Sequence, residues 1–191
     1  AHHLNIYTSS STNAHFLDED TCEKIVHSGL DRLILSIDGT TQSSYEQYRI
    51  GGDLNKVLEG TKNLIAARNR LKSKTPFLVF QFLVVKHNEH EIEDLRTLAG
   101  ELGVDKVELK TAQVYDFVNG SELIPEQEVY SRYQRIADGT FQIKNPMHNE
   151  CWRMWQGCVI TWDGRVVPCC FDKDAEHQLG RLSGNDFLSI W

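Results

Sequence analysis

Leu30-Asp-Arg-Leu-Ile-Leu-Ser-Ile-Asp-Gly39 is a short, near-continuous apolar run that closes on a polar cluster. A run of this length bounded by turn formers reads as a strand buried on both faces, the kind found in parallel sheets. The cluster Ser36-Ile-Asp-Gly-Thr-Thr41 sits where such a strand ends, and the C-terminal ends of parallel strands are where α/β proteins keep their ligands. The fold class and the first candidate site therefore come from one decapeptide.

Working outward, Leu4 to Thr8 alternates like a strand, and Ser9 to Asn13 reads as a polar loop at its end. Asp18 can cap a helix with Cys22, Ile25 and Val26 on its inner face and Gly29 as its stop. That spacing makes Cys22 a core residue. Downstream, Ser43 to Arg49 reads as a short helix broken at Gly51-Gly52. A longer helix follows from Asp53 to Leu71, with Leu54, Val57, Leu58, Leu64 and Ile65 on one face. Phe77 to Val85 is a second buried strand, interrupted only by Gln81. Asn88 and Glu91 have the spacing of a capping box for a helix carrying Ile92, Leu95, Ala99 and Leu102, ended by Gly103. Val104 to Leu109 is a further strand, and Glu126 to Ile136 is read as one more helix. His87 and His90 are expected in solvent. Strands alternating with helices imply a parallel sheet. The expected architecture is α/β: a partial (β/α) barrel over residues 1–140, then a cysteine-bearing β-hairpin unit over 141–191.

That last unit contains Cys151-Trp-Arg-Met-Trp-Gln-Gly-Cys158-Val-Ile-Thr-Trp-Asp-Gly164-Arg-Val-Val-Pro-Cys169-Cys170, four of the five cysteines in twenty residues. Asp163-Gly164 between β-branched runs is a strong hairpin signal, because the turn needs positive φ and Gly adopts it without steric cost. The open end of such a hairpin carries Cys158, Cys169 and Cys170, with Cys151 close by. Thiolates at this density point to a metal site, iron–sulfur or zinc with His148 or His177 as a further donor. The plain alternative is reduced structural cysteines. Adjacent Cys169 and Cys170 point to opposite faces of a strand, so both are not expected on one ion.

Bulk properties narrow the classes. Lys and Arg number 20 against 27 Asp and Glu, for a net charge of −7 without a basic cluster, which excludes nucleic acid as a partner. No apolar run approaches the ~20 residues of a membrane span, and no signal peptide is visible. Clustered, odd-numbered cysteines suit a reducing compartment, so a cytoplasmic location is expected.

The two halves together resemble radical S-adenosylmethionine (SAM) enzymes carrying a SPASM or twitch domain. That group includes anaerobic sulfatase-maturating and peptide-modifying maturases and relatives of molybdenum-cofactor biosynthesis protein A. Cys151, Gly164 and Cys169 fit the opening of the SPASM pattern. Val159-Ile-Thr-Trp-Asp-Gly-Arg-Val-Val-Pro-Cys-Cys-Phe-Asp172, Leu179-Gly180 and Ile190-Trp191 match its surroundings. Thr12-Asn13, Leu35-Ser-Ile-Asp-Gly39 and Tyr45-x3-Arg49 resemble the family's strand-end SAM motifs. The resemblance implies SAM and [4Fe–4S] cofactors and a peptide, protein or small-molecule substrate. It implies Cys151 and Cys169 as cluster ligands, with Cys158 and Cys170 behind them. Ser36 would meet the SAM ribose or simply cap the next turn. Asp38 would serve the site or form only an Asx turn. Arg49 would pair with the SAM carboxylate through its planar fork or lie in solvent. Gln81 would face ligand from inside the barrel, with Asn13 a lesser case of the same kind.

The Cys-x3-Cys-x2-Cys motif that defines the family is not in the sequence. The expectation is a piece of a longer enzyme, inactive alone and able to self-associate through exposed strand edges. The alternative is a non-catalytic metal- or partner-binding module.

Overall fold

Four parallel strands, β1 (Ser9–Thr12), β2 (Arg32–Ser36), β3 (Phe77–Val84) and β4 (Lys106–Thr111), pair in sequence order. Their register aligns Ser11 with Ile34, Ile34 with Val79 and Val79 with Lys106. The computed structural model describes residues 1–145 and 150–191, which form two units, Ala1–Asn145 and Pro146–Trp191.

Alternation along the strands sorts the sheet into two faces. Leu33, Leu35, Leu78, Phe80, Phe82 and Val84 face the helices and form the core. Packed on them are α1 (Glu19–His27) through Cys22 and Val26, α3 (Leu54–Arg70) through Val57 and Leu64, and α4 (Ile92–Leu102) through Ile92 and Leu95. Each such apolar side chain contributes roughly 1.5–3 kcal/mol on burial. The helix cap at Asp18 is as expected, and Asp53 caps α3, each side chain accepting from a first-turn N–H. Gly103 ends α4 at φ 83°, where a side chain would be strained. A short α2 (Gln42–Tyr48), capped by Thr41, bridges β2 and α3.

Three sequence readings are corrected. Leu4 to Thr8 is not a strand: His2–Leu4 is a 3-10 turn, and the strand is the serine run that follows. Its backbone pairs with β2, which outweighs the weak strand preference of serine. Glu126 to Ile136 is not a helix. It holds a 3-10 turn at Glu128–Tyr130 and then β5 (Tyr133–Arg135), paired antiparallel with β6 (Phe141–Ile143) around Asp138-Gly139. The Glu126 and Gln127 amides are taken by the carboxylate of Glu89, at 3.1 and 2.9 Å. Asn88 and Glu91 do not form a capping box. Their side chains are drawn instead to partners about fifty residues away, described below.

The second unit is a small antiparallel sheet: β7 (Val159–Ile160), β8 (Arg165–Val167) and β9 (Gly180–Arg181). The expected hairpin is present, with Gly164 at φ 83°. A single-turn helix, α5 (Phe187–Ile190), follows. Among the described residues no helix is long and apolar enough to cross a membrane.

Candidate functional site

The C-terminal ends of β2 and β3 are joined by a buried polar network centred on Asp38, which is 1% exposed. One carboxylate oxygen accepts from the Leu83 amide at 2.7 Å, and the other receives Arg49 Nε at 2.5 Å. Its carbonyl accepts from Asn88 Nδ2, which also donates to the Leu83 carbonyl, while Asn88 Oδ1 accepts from the Val85 amide. Glu91 closes the ring by accepting from the Thr40 amide at 2.7 Å and from the Thr41 hydroxyl. A buried carboxylate is tolerable only when so satisfied. The network therefore fixes the loop after β2 against the loop after β3.

Gly39 makes this closure possible. A Cβ there would lie 2.6 Å from the Tyr45 Cα, so no side chain fits between β2 and α2. A Cβ on Gly52 would meet the Tyr45 ring at 2.7 Å. The Gly51–Gly52 turn is held from both sides. Gln42 donates to the Gly52 carbonyl and accepts from the Leu54 amide, and His15 Nε2 accepts from the Asp53 amide. His15 Nδ1 is left to donate to the Asn13 carbonyl, which settles its tautomer.

These elements enclose a cavity of about 270 Å³ lined by Asn13, His15, Tyr45, Arg49 and Gly52. The Tyr45 ring is fully buried, stacks on His15, and its hydroxyl has no hydrogen-bond partner. Burial pushes the phenol pKa up, so it stays a proton donor. Arg49 is anchored through Nε alone, which leaves the fork nitrogens available for a carboxylate. The chemistry of these residues suits the charged, zwitterionic end of a small ligand.

The predicted residues thus divide. Asn13 and Arg49 line the cavity, and Asp38 sits behind Arg49 as its anchor. Ser36 and Gln81 are in register on the open face of the sheet, half-buried, outside this cavity. Tyr45 and His15 were not singled out as site residues; the Tyr45-x3-Arg49 spacing was the only signal for the former. His87, expected in solvent, is half-buried with Nε2 enclosed and unpartnered.

In the ribbon unit all four late cysteines are free thiols, Cys151 and Cys170 exposed and Cys158 and Cys169 half-exposed. His148 lies outside the described residues, and His177 is exposed. Among the described residues no three His, Cys, Asp or Glu side chains are grouped to hold one metal ion. The expected gathering of sulfurs is thus not present. Thiols have no attraction for one another comparable to what a metal supplies. The donor type fits an iron–sulfur group, while the grouping does not complete one.

Residues 151–191 match the SPASM family, an iron–sulfur cluster-binding domain. PqqA peptide cyclase of Gluconobacter oxydans (strain 621H) is 30% identical over 186 residues, covering 88% of this chain and 50% of that protein. The crystal structure of Streptococcus suis SuiB bound to S-adenosylmethionine matches with a TM-score of 0.65 at 15% identity, over 99% of this chain and 48% of that one. SuiB bound to the precursor peptide SuiA matches equally, TM-score 0.65 at 13% identity, over 99% and 48% of the two chains. Identity this low carries the fold alone. The chain spans about half the length of these relatives.

Proposed function

We propose that this chain, related by sequence and fold to radical SAM enzymes of the SPASM type, supplies part of the SAM site and the opening of the auxiliary iron–sulfur module of a peptide-modifying enzyme. The observation that carries the reading is the Asp38-anchored Arg49 at a cavity shared with Asn13 and the orphaned Tyr45 hydroxyl. Arg49 would hold the SAM carboxylate, Tyr45 and Asn13 would add hydrogen bonds, and Ser36 would meet the ribose. Gln81 faces the substrate side of the sheet. Cys151 and Cys169 would ligate the auxiliary cluster, with Cys158 and Cys170 nearby. Bound SAM and a low-potential [4Fe–4S] cluster would supply reductive C–S cleavage and hydrogen abstraction from a peptide in the complete protein. This chain, without a Cys-x3-Cys-x2-Cys motif, is not expected to turn over by itself. Peptide substrates are favoured because PqqA peptide cyclase and SuiB are named for, or crystallised with, peptides.

Two measurements test this. Calorimetric titration should show SAM binding to the chain, weakened about tenfold or more in Arg49→Ala, the range for a charge-assisted hydrogen bond. Unchanged affinity would remove the site. After anaerobic loading with iron and sulfide, the chain should retain iron that the double variant Cys151→Ser, Cys169→Ser does not. Reading the gene upstream of Ala1 separates the alternative: a Cys-x3-Cys-x2-Cys there supports an enzyme, and its absence from the whole gene supports a non-catalytic module.

A further inference from the structure

The face of the parallel sheet turned away from the helices carries more positive charge than the fold needs. Register places Arg32, Ile34 and Ser36 of β2, Phe77, Val79, Gln81 and Leu83 of β3, and Lys106, Glu108 and Lys110 of β4 on this side. Glu108 is its one carboxylate. Arg32 Nη2 and Lys106 Nζ both reach Glu108 Oε1 at 2.9 Å, and Lys110 Nζ stands 3.7 Å from Oε2. Three cations on one carboxylate leave a local excess of two positive charges, in a chain whose net charge is −7.

Donors are also in surplus. Arg32 Nε is buried without a hydrogen-bond partner. In the row above, Ser36 and Gln81 stand side by side with Glu108, and their side chains make no hydrogen bond among the described residues. Arg32 is half-buried while Lys106 and Lys110 are exposed, so their repulsion is modest and Glu108 offsets part of it. Nothing in the sheet requires cations at these positions, since strand pairing is a backbone matter. Glu108 instead holds the cations in place as a tether, its own carboxyl kept below the usual range by the Lys106 hydrogen bond first and by Arg32 after it.

We infer that this face receives a carboxylate of the peptide substrate, with Arg32 as its principal contact and Lys106 and Lys110 as supporting charges. The inference rests on the reading above that the substrate is a peptide, and it adds which chemical group of that peptide is read. A guanidinium presents fixed planar donors that suit a carboxylate, and the Arg32 side chain is partly exposed. The two lysines contribute attraction that salt should screen.

The test uses the whole chain and three peptide probes: acetyl-triglutamate amide, acetyl-triglutamine amide, and acetyl-trialanine with a free C-terminal carboxylate. Binding is followed by NMR through the Gln81 side-chain amide and the Ile34 methyl groups. Binding of either carboxylate probe, with no binding of triglutamine, supports the inference. Which of the two binds tells a side-chain from a C-terminal carboxylate. Arg32→Gln should weaken that binding about tenfold and Lys106→Gln about threefold. Equal affinity for triglutamine, or no carboxylate binding up to about 10 mM, overturns it. If Arg32→Gln does not fold, the double variant Lys106→Gln, Lys110→Gln on the edge strand decides by the same criterion. SAM is titrated into the same sample. Retained SAM binding without carboxylate binding overturns this inference alone, whereas carboxylate binding without SAM binding overturns the proposed cofactor site alone.

Discussion

The sheet unit and the ribbon unit are built on opposite economies of apolar surface. In the first, side chains as large as Tyr45, Phe80, Phe82 and Leu95 are fully buried. In the second, the buried apolar residues among those described are Val166, Val167 and Ala175, while Trp152 and Phe171 are each 72% exposed and Trp162 is 95% exposed. A unit of some forty residues rarely stabilises itself by burial and usually recruits a metal or a disulfide. Its cysteines are unpaired. The sheet unit is thus a finished scaffold that presents polar groups at its strand ends. The ribbon buries little apolar surface and carries four free cysteines around a turn.

Cysteine chemistry gives the largest contrast. Cys22 is fully buried in α1, and burial pushes its thiol up to about 11, with Asp18 and Glu19 adding to the effect. At pH 8 its thiolate fraction is on the order of one in a thousand, before access is considered. A disulfide reagent should therefore titrate four thiols quickly and the fifth more than about a hundredfold more slowly, or only on unfolding. A fast Cys22→Ala-sensitive phase would break the contrast.

Next comes the steric closure at the strand ends. Gly39→Ala drives a methyl into the Tyr45 backbone and should cost about 3 kcal/mol, seen as a lower urea midpoint by far-UV circular dichroism. All four tryptophans lie beyond residue 150, so fluorescence reports the ribbon alone. It should not follow the shift, and coincident transitions would show the units unfolding as one. Asp38→Asn should cost less, about 2 kcal/mol, because an amide can keep the Leu83 hydrogen bond while losing the charge that holds Arg49. Its sharper readout is weaker SAM binding at unchanged secondary structure.

How much of this was legible in the chain follows from the range of the interactions. The strands around Leu30–Gly39 and Phe77–Val85 were readable because burial on both faces writes itself as a continuous apolar run. Asp18 was readable as a cap because its partner is three residues away. The Asn88–Glu91 spacing misled because both side chains found acceptors or donors in the Asp38–Thr41 loop, about fifty residues distant. Glu126 to Ile136 misled likewise: a helical composition was overridden by the pairing of β5 with β6. Arg32 and Glu108 are 76 residues apart in sequence and meet only because β2 and β4 flank β3. The cavity residue Tyr45 left a trace only as a spacing to Arg49.

The smallest effect compares two hairpins of similar turn sequence, Asp138-Gly139 in the sheet unit and Asp163-Gly164 in the ribbon. Both carboxyls are held below their usual range, but by different means. Asp138 is lowered by hydrogen bonds from the Thr140 hydroxyl and amide. Asp163 is lowered to about 2, first by the Thr161 hydroxyl at 2.6 Å, then by Arg165 and Arg181. A folded pKa below the unfolded value of about 3.9 means stabilisation that is complete above that value and lost as pH falls through the folded one. The ribbon turn should therefore loosen between about pH 4 and pH 2, seen in the emission of the neighbouring Trp162. Part of that stabilisation comes from two arginines, and salt screens such pairs. High salt should move the ribbon's acid transition upward in pH and leave the Asp138 turn where it was, since among the described residues no cation pairs with the Asp138 carboxylate. Asp163→Asn should abolish both the transition and its salt dependence; a transition that survives the substitution would assign the acid sensitivity to some other carboxylate of the ribbon.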